Sequence, residues 1–293
     1  MAELILDARN GTGESPVWHV AEQALYWVDI PGKTINRWSP TAGHRQWETE
    51  EMPACIAATA TPGQWIAGME SGVFSLQLQD DGKALATRLA AVPHAAPTMR
   101  FNDGRCDRQG RFWAGTMLID MAAAARVGCV YSYASNSKKL TTVLDDFIVP
   151  NGLAFSPDGT TMYVSDSHPT VQQVWAYDYD TQSGTPSNRR VFVDMNAFPG
   201  RPDGAAMDVD GCYWICGNDA GLIHRFTPDG RLDKSLAVPV KKPAMCAFGG
   251  PQLDTLYVTS IRPGGDLTDQ PLAGGVFALQ PGTQGLPEPT FGT

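Results

Sequence analysis

A short run of apolar and aromatic residues that ends in small or polar residues recurs six times along the chain. The equivalent aromatic positions are Trp27, Trp65, Trp113, Tyr163, Trp214 and Tyr257. They are separated by 38 to 51 residues, a turn precedes each run, and a further β-type run follows most of them. A repeat of about 40–50 residues that holds about four strands is typical of one propeller blade. The sequence therefore predicts an all-β fold, a six-bladed β-propeller, formed by residues 1–293 as a single domain.

Two segments lie outside this repeat. Residues 4–9, which open with the apolar run Leu4-Ile5-Leu6, precede the first repeat, and we expect them to pair with the final blade and close the ring. Closure of this kind hides strand edges that would otherwise be open to other chains. Residues 118–126 form an Ala-rich insertion, which we expect to make a helical turn in a loop, residues 117–127, over the mouth of the propeller.

Composition narrows the setting in which the protein acts. The formal net charge of -9 argues against a nucleic-acid partner or an anionic membrane, because both attract basic surfaces. No run of 18 apolar residues predicts a membrane span, and the N-terminus lacks the features of a secretory signal, so we expect a cytoplasmic protein.

The six cysteines include no C-x-x-C pair, and we expect them to be reduced and buried; for Cys212 and Cys216, core packing is favoured over metal or redox chemistry. We expect a monomer or a weak homo-oligomer.

Four repeats carry an oxygen-bearing side chain 11 to 13 residues before the aligned aromatic. These residues are Glu14, Asn102, Asn151 and Asp203. The other two repeats have Ala54 and Cys246 at the position 11 residues before. This part of the repeat precedes the turn, where the innermost strand of a blade begins. Because innermost strands line the central channel, we expect the four side chains to converge near the axis.

Two interpretations of these four residues are open. Asn and Asp beside Gly are ordinary turn residues, and three of the four precede or adjoin a Gly. Alternatively, carboxylate and amide oxygens are hard ligands that suit Ca²⁺, Mg²⁺ or Mn²⁺, and less exclusively Zn²⁺ or Fe²⁺. The repeat that contains Asp203 already has a turn at residues 208–211, and Glu14 is not a turn former. The metal site is therefore the favoured interpretation.

Other catalytic signatures are absent from the sequence. It contains no G-x-S-x-G, H-E-x-x-H, P-loop or G-x-G-x-x-G motif. The five histidines show no metal-ligand spacing. His168 follows a predicted strand near the mouth, and it is either an ordinary polar or loop residue or, less favoured, a general base.

Four motifs carry a resemblance to a known family. They are Gly-Glu-Ser-Pro-Val-Trp at 13–18, Arg-Phe-Asn-Asp-Gly at 100–104, Pro-Asn-Gly-Leu-Ala-Phe at 150–155 and Pro-Asp-Gly at 202–204. In this order, over essentially the whole chain, the sequence resembles the SMP-30/gluconolactonase (regucalcin-like) family. The resemblance implies a six-bladed propeller that binds one divalent cation in its axial channel and hydrolyses aldonolactones. It also implies that Glu14, Asn151 and Asp203 are the metal ligands and that Arg100 and Asn102 contact the substrate.

The chain departs from the family pattern at two places. The first motif commonly has a second Gly where this sequence has Ser15. An acidic residue that some relatives place in the loop over the substrate has no clear match, and Asp120 is the nearest candidate for substrate binding. These departures leave the metal ligands intact and bear on which lactone is bound.

The favoured hypothesis is a metal-dependent lactonase of sugar catabolism. One divalent cation (Ca, Zn, Mn, Mg or Fe(II)) polarises the lactone carbonyl, and Asp203 acts as the general base toward the attacking water. Pentono- and hexonolactones with 1,4- or 1,5-rings all stay open as substrates. Two alternatives also stay open: a phosphotriesterase or aryl-esterase with the same site, and a non-catalytic propeller that binds calcium or a partner protein.

Overall fold

Six antiparallel sheets of four strands each form the molecule in a computed structural model, which describes residues 2–292. The predicted all-β, six-bladed propeller is therefore confirmed. Blade one contains β2 (Gly13–His19), β3 (Ala24–Asp29), β4 (Thr34–Ser39) and β5 (Gly43–Glu48). Blade two contains β6 (Cys55–Ala58), β7 (Gln64–Gly68), β8 (Gly72–Leu78) and β9 (Ala84–Ala91). Blade three contains β10 (Met99–Cys106), β11 (Phe112–Leu118), β12 (Gly128–Ala134) and β13 (Lys139–Phe147).

The second half of the ring repeats this arrangement. Blade four contains β14 (Pro150–Phe155), β15 (Thr161–Asp166), β16 (Gln173–Asp180) and β17 (Thr185–Asp194). Blade five contains β18 (Arg201–Met207), β19 (Tyr213–Asn218), β20 (Leu222–Phe226) and β21 (Leu232–Ala237). Blade six contains β22 (Pro243–Gly249), β23 (Thr255–Ser260), β24 (Val276–Leu279) and β1 (Glu3–Leu6). The first strand of each blade packs against the first strands of its neighbours around the axis, so these six strands surround the central channel.

The N-terminal strand closes the ring, as predicted. β1 pairs antiparallel with β24, with Leu4 opposite Phe277. The last blade therefore takes three strands from the end of the chain and its outermost strand from the beginning.

The aligned aromatic residues lie on the second strand of each blade and fill the space between sheets. Trp27, Trp65, Trp113 and Trp214 are among the largest fully buried side chains, and Tyr163 and Tyr257 are buried too. Burial of a large aromatic side chain at the same register in every blade removes apolar surface from water. This repeated burial explains why the period of the sequence is so clear.

The segment that follows β24, residues 280–292, crosses the end of the propeller at which the innermost strands finish; we call it the C-terminal strap. Its Gln284 carbonyl accepts a hydrogen bond from Val209 N at 3.0 Å, and Phe291 N donates to the Ala58 carbonyl at 2.8 Å. Near the axis, Glu288 forms an ion pair with Arg105 at 3.5 Å. The strap thus joins blades on different sides of the ring.

The Ala-rich insertion forms the helical turn that the sequence predicts, although it is a single 3-10 turn, Met121–Ala123. A second short 3-10 turn spans Met195–Ala197. No helix within residues 2–292 is long and apolar enough to cross a membrane. All six cysteines have free thiols, and only Cys129 is partly exposed.

Candidate active site

The four oxygen-bearing residues lie on the innermost strands of four blades, near the end at which each strand begins. Glu14 is on β2, Asn102 on β10, Asn151 on β14 and Asp203 on β18, and all four are buried. They belong to strands rather than to tight turns, so the turn interpretation of the Asn-Gly and Asp-Gly pairs is wrong.

A β-bulge marks each of these four strands. The pairing register shifts between Glu14 and Val17, between Phe101 and Gly104, between Asn151 and Ala154, and between Pro202 and Ala205. A bulge leaves one residue unpaired and changes the direction of neighbouring side chains. Of the two innermost strands without an oxygen-bearing residue at this position, β6 pairs without a register shift, whereas β22 has one between Pro243 and Cys246.

Gly152 shows why a glycine follows Asn151 within the strand. Its φ is +59°, a left-handed conformation that favours glycine, and a Cβ atom there would lie 2.4 Å from Tyr213 Oη. Tyr213 Oη donates a hydrogen bond of 2.6 Å to the Gly152 carbonyl. Glycine at this position therefore allows blades four and five to lie close together beside the site.

Asn102 connects two blades and an arginine. Its Nδ2 donates to Asn151 Oδ1 at 3.0 Å and to the Pro150 carbonyl at 3.1 Å. Arg100 Nη1 donates to Asn102 Oδ1 at 2.9 Å. Asn151 Nδ2 in turn donates to Ser167 Oγ at 2.9 Å. The amide groups are thus oriented by their partners, and Asn151 keeps one lone pair of Oδ1 for a further ligand.

Two buried carboxylates share the remaining side of the site. Asn218 Nδ2 donates to Asp203 Oδ2 at 2.6 Å, and Ser15 N donates to Glu14 Oε2 at 3.3 Å. Burial raises the pKa of Asp203 to about 7, although Arg201 and Asn218 act in the opposite direction. Burial also raises the pKa of Glu14 well above its usual value, and the charge of Asp203 raises it further. Without a cation, both carboxylates are unfavourably placed in their charged form.

The donor set fits a hard divalent cation. Within residues 2–292, no three His, Cys, Asp or Glu side chains form a group suited to a metal ion, so carboxylates alone do not make this site. Glu14 and Asp203 supply two carboxylates, and the Asn151 amide oxygen supplies a neutral third donor. Two buried negative charges and an amide oxygen match the ligand preference of Ca²⁺ or Mg²⁺ more closely than that of a thiophilic metal.

The structure does not bring Asp120 into this hydrogen-bonded group. The exposed Asp120 caps the 3-10 turn, because its Oδ1 accepts a hydrogen bond from Ala122 N at 3.1 Å. His168 does lie near the mouth, but it is buried rather than on the surface. Its Nδ1 contacts Thr170 Oγ1 at 2.8 Å and its Nε2 contacts the Met121 carbonyl at 3.1 Å, so neither ring nitrogen is free to act as a base.

Sequence reasoning missed three residues of the site. Asn218 and Ser167 support Asp203 and Asn151, but they lie at the ends of other strands, where their residue types carry no signal of their own. Asp103 is buried beneath the site; its Oδ2 accepts a hydrogen bond from Leu153 N at 2.7 Å, while its Oδ1 has no hydrogen-bond partner. The sequence indicates a role for Asp103 only through its position next to Asn102. Because an Asn-Asp-Gly triplet is also typical of an ordinary turn, this position did not mark Asp103 as a site residue.

The chain is similar to known proteins over nearly its whole length. Residues 12–262 match the family model described as SMP-30/Gluconolactonase/LRE-like region. The chain is 39% identical to a 6-deoxy-6-sulfogluconolactonase of Pseudomonas putida, over 95% of this chain and 94% of that protein. Among solved structures, a luciferin-regenerating enzyme superposes with a TM-score of 0.92 at 27% identity, covering 100% of this chain and 99% of its own. A calcium-binding protein, regucalcin, from Agrobacterium tumefaciens superposes with a TM-score of 0.90 at 27% identity, covering 100% and 98%.

Proposed function

Because this chain belongs to the SMP-30/gluconolactonase/LRE-like family, we propose that it hydrolyses the internal ester of a sugar lactone with the help of one divalent cation. The observation that carries the proposal is the convergence of two buried carboxylates and two amide side chains at the start of four innermost strands. A relative at 39% identity is named a sugar lactonase, which supports the same reaction class here. The reaction would take place in the cytoplasm, as part of sugar catabolism.

The cation would be held by Glu14, Asn151 and Asp203. It would be one of Ca, Zn, Mn, Mg and Fe(II). When bound, such an ion supplies Lewis-acid polarisation and stabilises negative charge on oxygen. Calcium has the support of a related structure named as a calcium-binding protein. The raised pKa values of Glu14 and Asp203 mean that protons compete with the cation for these carboxylates.

Arg100 and Asn102 would bind and orient the lactone. One Arg100 nitrogen, Nη1, is held by the Phe101 carbonyl at 2.7 Å and by Asn102 Oδ1, which leaves the other guanidinium N–H groups for ring oxygens. Positioning of the ester in this way lowers the entropic part of the barrier. We retain Asp120 as a candidate substrate contact from the loop over the mouth.

Asp203 would act as the general base. Its Oδ2 is fixed by Asn218, so Oδ1 is the atom that would accept the proton of an attacking water. Burial raises the pKa of Asp203 to about 7 without a cation, and a bound cation would lower it and keep Asp203 ionised, as a general base requires. The water oxygen would bond to the carbonyl carbon as Asp203 takes the proton. The ester C–O bond would then break, and the ring oxygen would receive that proton from Asp203 and become a hydroxyl group of the aldonic acid.

The test compares two aspartates that occupy the same tripeptide. Chelator-stripped protein would be assayed with pentono- and hexonolactones while each divalent ion is added back singly. Asp203→Asn is expected to lower kcat/KM by roughly 10²–10⁴-fold and to weaken metal binding, because it removes the base and a ligand.

Asp158→Asn is the matched control, since Asp158 lies in another Pro-Asp-Gly, shortly before the aligned aromatic Tyr163, where it caps an exposed turn. Full activity of Asp203→Asn would refute its role. No lactone turnover with any ion in a folded, metal-binding protein would favour a phosphotriesterase, an aryl-esterase or a non-catalytic calcium-binding propeller.

A further inference from the structure

Two cationic side chains share one carboxylate at the rim of the mouth, directly beside Asp203. Arg201 Nε donates to Asp219 Oδ2 at 2.6 Å, and Lys242 Nζ donates to Asp219 Oδ1. Arg201 begins β18, Asp219 directly follows β19, and Lys242 directly precedes β22. We call Arg201, Asp219 and Lys242 the rim cluster; it spans blades five and six.

The rim cluster has more donors than acceptors. Beyond Asp219, the Arg201 guanidinium contacts the Ser167 carbonyl at 3.3 Å and Asn218 Oδ1 at 3.4 Å, and both contacts are long. A guanidinium carries five N–H groups and an ammonium carries three, so several donors are left over. The side chains of Arg201 and Lys242 are 20% and 27% exposed, and solvent or a ligand can reach them. The cluster as a whole carries one net positive charge.

An amide side chain joins the rim cluster to the candidate base. Asn218 accepts from Arg201 through Oδ1 and donates through Nδ2 to Asp203 Oδ2 at 2.6 Å. Arg100, on blade three, is a further cationic side chain near the site, where Glu14 and Asp203 are the carboxylates that would hold the cation. The chain as a whole has a net charge of -9, so the net positive charge of the rim cluster is a local feature that the overall charge does not explain.

We propose that the rim cluster is a subsite for an anionic group on the lactone, at the end of the substrate away from the reacting carbonyl. The class is a hexonolactone that bears a carboxylate, sulfonate or phosphate at carbon 6. Charge-assisted hydrogen bonds from guanidinium and ammonium groups recognise all three of these oxyanions. This inference rests on the proposed lactonase activity and specifies the substrate of that same site.

The test measures kcat/KM for one neutral hexonolactone and for the same ring with a carboxylate, a sulfonate or a phosphate at carbon 6, on the metal-loaded protein. At least one anionic ring is expected to exceed the neutral ring by about 10–100-fold, as charge-assisted bonds allow. The ring with the highest kcat/KM identifies which of the three anionic groups the subsite recognises. Lys242→Gln is expected to lower the anionic-to-neutral ratio by about tenfold, and Lys242→Arg is expected to restore it.

Lys241→Gln is the matched control, because Lys241 is the neighbouring residue, is exposed, and pairs with Asp269 outside the cluster. Its ratio and activity are expected to equal those of the unsubstituted protein, and thermal melting confirms that each variant is folded. Equal turnover of neutral and anionic rings would overturn the subsite while the lactonase proposal stands. An anionic preference that survives Lys242→Gln unchanged would overturn it too. Absence of turnover for all four rings would reject the lactonase proposal itself.

Discussion

Ser15 shows how one residue accommodates a departure from the family pattern. Its φ of +51° lies in the left-handed region, where glycine is the usual residue. The buried hydroxyl accepts a hydrogen bond from Ile56 N at 2.9 Å and lies 3.4 Å from the Ile56 carbonyl. Ser15 therefore adds a contact between blades one and two that a glycine would lack, and it offsets the strain of its own backbone.

Replacement of Ser15 separates these two effects. Ser15→Ala is expected to destabilise the protein by about 1–3 kcal/mol, because Ile56 N loses its buried partner while the strained φ stays. Ser15→Gly is expected to cost less, because it relieves the backbone strain by about 1–2 kcal/mol. Urea unfolding of the two variants checks the order. A larger loss for Ser15→Gly would show that strain at this position is negligible.

At the residue scale, the sequence indicates some site residues and leaves others hidden. Glu14, Asn102, Asn151 and Asp203 stand out because each occupies the same part of its repeat, and that part begins an innermost strand. Asn218 reaches Asp203 across the strand pairing of a single blade, 15 residues away. Such a contact depends on register and bulges rather than on residue type, so periodicity gave no indication of it.

A histidine anchors the 3-10 turn of the loop over the mouth, while Arg126 at the end of the loop contacts Asp146. Both ring nitrogens of His168 are engaged, one with Thr170 of its own blade and the other with the Met121 carbonyl in the 3-10 turn of blade three. The loop is otherwise exposed from Asp120 to Ala124. The Ala-rich composition of the insertion predicted a helical turn but not this anchor, because the anchoring residue lies 47 positions further along the chain.

His168→Phe is expected to release the loop while preserving the ring volume. Loss of the bond to the Met121 carbonyl should expose Arg126, within the same loop, to faster trypsin cleavage and raise KM for the lactone several-fold. Limited proteolysis followed by mass spectrometry locates the cut. His44→Phe, on the outermost strand of blade one, is the control. Unchanged cleavage after Arg126 would mean that other contacts hold the loop.

Across the whole molecule, the two ends of the chain hold the ring in different ways. The N-terminal strand was predictable from its apolar pattern and its place before the first repeat. The C-terminal strap was not, since residues 280–292 are rich in Pro and Gly and have no strand periodicity. Its attachment includes isolated hydrogen bonds, the stacking of Phe291 on Tyr133 and the ion pair of Glu288 with Arg105.

Glu288→Gln is expected to lower the stability of the whole ring. The Arg105 side chain is only 9% exposed, and loss of its ion-pair partner leaves a largely buried charge less compensated. A loss of about 1–3 kcal/mol is expected, measured as a lower midpoint of thermal unfolding. Glu50→Gln, at an exposed residue without an ion pair among the described residues, should leave the midpoint unchanged. An equal midpoint for both variants would show that the strap contributes no stability through this pair.

Closure of the ring by β1 has a consequence for the synthesis of the chain. Leu6 pairs with Val276, so β1 stays without its partner strand until about 270 further residues have been synthesised. At roughly 5–20 residues per second, that interval is about 15–50 s. During this time the nascent blades present unpaired strand edges, which are sites of aggregation. A chain released before Val276 could never complete its last blade, and protein quality control would meet it as an open, incomplete ring.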